Sequence, residues 1–224
     1  MRLVNYRKLI YGIYTEPHLL ANPPKVKGNR RHFPPRQIFI KNNIPHNGVG
    51  VEIGVAGGKH AQWLWEYSKP SHLSLIDHWD EPKDNTYYFG TKEKTLEQYN
   101  KVVEWSQGKD VEVIKKDTSK AAALFENESL DWIYLDGDHR YDGVMKDLNA
   151  WWPKIKKGGF LSGDDYSLYD LKGVEAFGVE RALNDYFSED TSIYLELQGV
   201  DNSRVDKNNK PLVSYSYKIM KGYD

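Results

Sequence analysis

Five short apolar runs follow one another through the middle of the chain: "GVGVEIGV", "HLSLID", "DVEVIKKD", "DWIYLDGDH" and "GGFLSGDDY". Between them lie "KHAQWLWEY", "TLEQYNKVVEWS", "KAAALF" and "DGVMKDLNAWWPKIKK", whose apolar positions recur at helical spacing. A strand that enters a helix before the next strand must cross over to pair in parallel, and such crossovers are right-handed. The chain is therefore restricted to an α/β fold, a Rossmann-like doubly wound sheet with helices on both faces. Pro153 should interrupt or end the last of these helices.

The tail reads differently. "GVERALNDYF" has helical spacing, while "TSIYLELQGV" and "LVSYSYKIMK" are β-rich and are separated by the turn-like "DNSRVDKNNKP". An antiparallel C-terminal hairpin closing the edge of the sheet is expected.

The leading segment is basic. Arg2, Arg7, Lys8, Lys25, Lys27, Arg30, Arg31, Arg36 and Lys41 precede residue 50, against Glu16 alone. Its middle, "ANPPKVKGNRRHFPPRQ", should be a loop or extended arm. We read residues 1–45 as an arm or lid on the core and residues 46–224 as the main domain. Either the arm contacts an anion, or it is a solvated terminus. The formal net charge of −1 names no partner, and no apolar run reaches the ~20 residues of a membrane span. A cytoplasmic protein is expected. The chain has no cysteine, so a thiolate nucleophile and a sulfur-bound metal are excluded.

Ligands of open parallel sheets bind at the carboxyl ends of the strands. There "VEIGVAGGKH" offers Gly54, Val55, Gly57 and Gly58, a backbone that a ligand can approach closely. A dinucleotide would want G-x-G-x-x-G. This spacing differs, and Glu52, just before the loop, would repel a pyrophosphate but attract a cationic amino group.

"VEIGVAGGKHAQWL" resembles motif I of the class I S-adenosylmethionine-dependent methyltransferases, whose glycine loop wraps the amino-acid part of the cofactor. In "LSLIDHW", Asp77 resembles the family's ribose-binding acid, flanked by His78 and Trp79; in "VIKKDTS", Asp117 with Thr118 resembles the adenine-proximal position. The resemblance covers residues 48–166 and implies a seven-stranded sheet whose last strand is antiparallel.

Two further strand ends carry more acid than cofactor binding needs. "YLDGDHRYDG" supplies Asp136, Asp138 and His139, and "LSGDDY" supplies Asp164 and Asp165. Such carboxylates repel one another unless a cation sits among them, and oxygen donors suit Mg²⁺, Mn²⁺ or Ca²⁺. The layout is similar to metal-dependent O-methyltransferases of the catechol and, more closely, macrocin (macrolide-sugar) kind. That likeness implies a divalent metal, Mg²⁺ first, on Asp136, Asp164 and Asp165, with Asp136 also at the cofactor. His139, Asp136 and Asp138 are all candidates for the base.

The expected partner is a small hydroxylated acceptor, a sugar in preference to a catechol. Nucleic acid is disfavoured because no N-P-P-Y-like motif follows the fourth run, and homo-oligomerisation is left open. The alternative readings are a methyltransferase of a nucleic acid or anionic conjugate that uses the basic arm, and a cofactor-binding scaffold without turnover. Asp77, Asp117 and Asp138 could instead be helix caps or turn braces. Trp151 and Trp152 read as core. Acceptor specificity is expected in the arm, in "DEPKDNTYYFGTKEKT", in "SLYDLKGVEAFG" and in a loop near Asn202.

Overall fold

Among the described residues the first helix, α1 (Pro35–Asn43), opens on a proline. Proline is tolerated in a first turn, where its missing N–H has no partner to lose, so the end of the proline-rich segment is helical rather than extended. Phe39, Ile40 and Ile44 of this segment are buried, which packs α1 into the core. The computed structural model describes residues 35–80, 91–166, 178–190, 193–205 and 211–222. The basic arm before residue 35 and most of the two specificity segments lie outside the described residues.

The repeating unit then follows in order: β1 (Val49–Ile53), α2 (Lys59–Ser68), β2 (His72–Asp77), α3 (Lys92–Ser106), β3 (Val111–Lys115), α4 (Thr118–Ala121), β4 (Leu130–Leu135), α5 (Tyr141–Trp151) and β5 (Ile155–Tyr166). In α5 the buried residues Val144, Leu148 and Trp151 fall on one face, as the spacing requires. The helix stops at Trp151, and Pro153 lies in a 3-10 turn (Trp152–Lys154). Short α6 (Val179–Tyr186) precedes β6 (Tyr194–Val205) and β7 (Pro211–Met220).

The seven strands lie in the order β3-β2-β1-β4-β5-β7-β6. All pairings through β5 are parallel, and β7 is antiparallel to both neighbours. The expected closing hairpin is present, but β7 is inserted between β5 and β6, so the edge belongs to β6. Strand β6 also runs through Asn202 to Val205, replacing the loop expected there. Its polar residues imitate a turn in sequence.

Both faces of the sheet are covered. Along β4, Ile133 and Leu135 enter one core with Val51, Leu148, Trp151 and Leu183; Trp132 and Tyr134 enter the other with Ile40, Leu64, Leu73 and Phe160. Successive side chains of a strand point to opposite faces, so a run that is apolar at every position needs helices on each side. Trp151 is core, 1% exposed, and Trp152 packs edge-on to Phe187. Among the described residues, no helix is long and apolar enough to cross a membrane.

Candidate active site

The chain leaves β1 through Gly54 at φ +87°, and a Cβ there would lie 2.2 Å from the carbonyl oxygen of Asp136. Only glycine lets the β1 exit pass the β4 exit this closely. Ala56 and Gly58 also have positive φ, and α2 starts immediately after.

Asp77, at the end of β2, braces this loop. Its Oδ2 accepts from the backbone N–H of Val55 (2.9 Å) and Ala56 (2.8 Å), and its Oδ1 accepts from Trp79 N–H (3.1 Å). Burial pushes its carboxyl up, but His78, with Nδ1 at 3.1 Å, and these backbone donors outweigh burial and hold it below the usual range. His78 is raised in turn, chiefly by Asp77. Trp79 is buried against Tyr99, and its Nε1–H donates to the Ala56 carbonyl at 2.8 Å, closing the loop from the other side.

Glu52 is wholly buried beneath the loop, with Oε1 2.9 Å from Nδ1 of His60 on α2. Burial raises its pKa, and His60 offsets this only in part. Asp117 caps α4 by accepting from Lys120 N–H at 3.1 Å and also meets Ser119 and Lys146. Despite some burial, these partners hold it at about 2. Thr118 donates from Oγ1 to Asp147 Oδ1 at 2.7 Å. Asp147 is a buried acid of α5 that sequence reasoning passed over as one position of a helical face.

The acids of β4 and β5 do converge. Opposite β7, the register shifts so that Asp164 and Asp165 together face Ser216, and Asp165 has φ +60°. This is a β-bulge, which turns a strand locally and re-aims its side chains. It lets two successive aspartates serve one rim. Asp164 is 2% exposed and Asp165 4% exposed.

Two cations of the chain itself sit among these acids. His139 Nε2 lies 2.9 Å from Asp165 Oδ2 and 3.3 Å from Asp136 Oδ1. Arg36, from α1, donates through Nη1 to Asp136 Oδ2 at 2.9 Å and touches Asp164 Oδ2 through Nε. Ser216 Oγ donates to Asp164 Oδ1 at 3.3 Å. Burial raises Asp136, but His139 and then Arg36 outweigh it and bring the carboxyl down to about 2. Burial dominates at Asp164, which is raised.

His139 departs from the neutral pKa expected of it. Burial favours the uncharged ring, yet Asp136 and Asp165 outweigh burial and raise it to about 10. The two carboxylates facing Nε2 thus favour the charged ring. Asp138 is paired with Arg140 at 2.7 Å, clear of the other acids' contacts. Arg36 carried no signal in sequence, being one of many basic residues in its segment.

A hollow of about 400 Å³ lies at the opposite ends of the strands, around Gly48, Asp131 and Lys156. There Asp131 is already satisfied by Lys156 and Val49 N–H, so its polar groups answer one another.

A family model described as a methyltransferase domain matches residues 51–166, just over half of the chain. The chain belongs to this methyltransferase family. The matched part of the methyltransferase domain runs from β1 to the end of β5 and includes every strand-end residue described above; Arg36 precedes it. An uncharacterized protein of Acanthamoeba polyphaga mimivirus is 40% identical over 136 residues, 58% of this chain and 55% of its own length. The chain thus spans about half the length of that curated relative. Among solved structures, the YcgJ protein of Bacillus subtilis aligns over 84% of this chain and 98% of its own (TM-score 0.58, 13% identity). A Streptococcus mutans protein in complex with SAH aligns over 81% and 94% (0.53, 12%), and the O-methyltransferase NovP over 84% and 77% (0.51, 16%). At these identities the likeness is one of fold.

Proposed function

We propose that this methyltransferase domain uses S-adenosylmethionine to methylate a hydroxyl of a small molecule, a sugar or glycoside, with the help of a divalent ion, Mg²⁺ first. The observation that carries the reading is the meeting of the β4 and β5 carboxylates at one rim beside the glycine loop. Their donor chemistry fits such an ion: Asp136, His139 and Asp165 each offer an atom, all within 4.8 Å of one another, and Asp164 joins Asp136 through Arg36. Asp136, Asp164 and Asp165 would hold the ion.

When bound, the cofactor supplies a sulfonium methyl and the ion lowers the pKa of an acceptor hydroxyl. The protein's own residues position and desolvate. The Gly54–Gly58 loop would lie against the amino-acid end of the cofactor, with Glu52 buried beneath it. Asp77 fixes the loop and is the residue assigned to the ribose, while Asp117 and Thr118 stand at the neighbouring strand end. His139 Nε2 contacts both Asp136 and Asp165, and the base is assigned to this cluster rather than to one side chain.

The test is calorimetric titration of S-adenosylhomocysteine into EDTA-treated protein, with NAD⁺ in parallel, followed by a panel of hydroxylated acceptors with and without Mg²⁺. One-to-one binding of S-adenosylhomocysteine alone and Mg²⁺-dependent methylation are expected. Binding of NAD⁺ instead, or methylation indifferent to Mg²⁺, would overturn the cofactor or the metal respectively.

A further inference from the structure

Arg36 reaches the acid rim from outside the matched region, and a packed helix aims it there. Three and four residues along α1, Phe39 and Ile40 are 2% and 0% exposed, so the face that carries Arg36 is anchored. Its guanidinium engages one oxygen of Asp136 and one of Asp164, bridging two neighbouring strands. Arginine keeps its charge at any working pH, and its fork of N–H groups suits two carboxylates. A carboxylate oxygen in contact with a guanidinium presents that face to no metal at ~2.1 Å, and two cations so close repel strongly in a poorly solvated rim.

We propose that Arg36 is a built-in competitor for the cation site: it neutralises the rim in the unloaded protein and must leave Asp164 before a divalent ion takes that carboxylate. Loading of the rim is thereby transmitted to α1. This rests on the metal reading above.

Mn²⁺ affinity, measured by the loss of the free-ion paramagnetic resonance signal on titration into EDTA-stripped full-length protein, separates the possibilities. Arg36→Ala should bind Mn²⁺ at least tenfold more tightly than wild type, and Arg36→Lys should lie nearer to wild type. Equal or weaker binding by Arg36→Ala overturns the competition while leaving the metal reading in place. Absence of Mn²⁺ binding in both proteins removes the metal reading and the inference with it. Should Arg36→Ala fail to fold, hydrogen exchange of wild-type α1 decides: faster exchange across residues 36–43 on Mn²⁺ loading supports the proposal, and unchanged exchange with Mn²⁺ bound overturns it.

Discussion

Asp77 illustrates how a residue is legible in sequence while its work is not. An acid at a strand end is visible from the pattern of runs. Its acceptance of three backbone N–H groups depends on where residues 55, 56 and 79 fold, which no spacing encodes. Asp77→Ala leaves those donors without their acceptor and should cost roughly 2–4 kcal/mol of stability. Urea unfolding reads that loss, and calorimetry should show weaker S-adenosylhomocysteine binding, with Asp77→Asn recovering part of both. Arg36 is the opposite case, illegible because its neighbours in sequence are equally basic. Asp147 carries a pH dependence. Burial raises it to about 6, against a Thr118 hydrogen bond that lowers it. The folded protein therefore holds this proton more tightly than the unfolded chain does, and stability present below the ordinary carboxylate pKa is lost as pH rises through about 6. Asp147→Asn should be more stable than wild type at pH 8 by up to about 3 kcal/mol, an advantage that shrinks towards pH 4. A constant difference across that range would reject the assignment.

At the level of elements, periodicity succeeds where two faces are buried. Every position from Trp132 to Leu135 is apolar because helices cover both sides of β4. It fails where backbone detail decides. The bulge at Asp164 and Asp165 exists because β7 offers one residue against two, and only the pairing reveals that. Likewise β6 continues through polar residues that read as a turn, since β7 supplies their hydrogen-bond partners. The crossing of β1 and β4 at Gly54 is the least forgiving junction. Gly54→Ala puts a Cβ against backbone rather than against a movable side chain, at a φ that alanine also disfavours. It should destabilise by roughly 2–4 kcal/mol in urea unfolding. Gly108→Ala, where a Cβ meets open space at similar φ, should cost about 1 kcal/mol and serves as the control.

Taken as a whole, the molecule joins a legible half to a less legible one. The run from β1 to β5 follows from alternation alone, and the family match covers it. The placing of β7 inside the sheet does not, because hydrophobic pattern gives strands but not their neighbours. Ligand binding is the global test of the complete assembly. A ligand present at 100 times its Kd adds about 2.7 kcal/mol. In a chain of this length S-adenosylhomocysteine should therefore raise Tm by roughly 5–10 °C, and an unmoved melting curve at millimolar ligand would refute the cofactor assignment.

The interior position of β7 also orders assembly in time. Pairing of Gly163 with Tyr217 closes a loop of more than fifty residues, and among the described strands β6 pairs with β7 alone. Such long-range pairing slows folding, and until it forms β5 would present an unpaired edge. Asp164 and Asp165 stand on that edge, and charge on an unpaired strand discourages intermolecular pairing. These two carboxylates of the candidate active site would thus discourage pairing with another chain before β7 is in place.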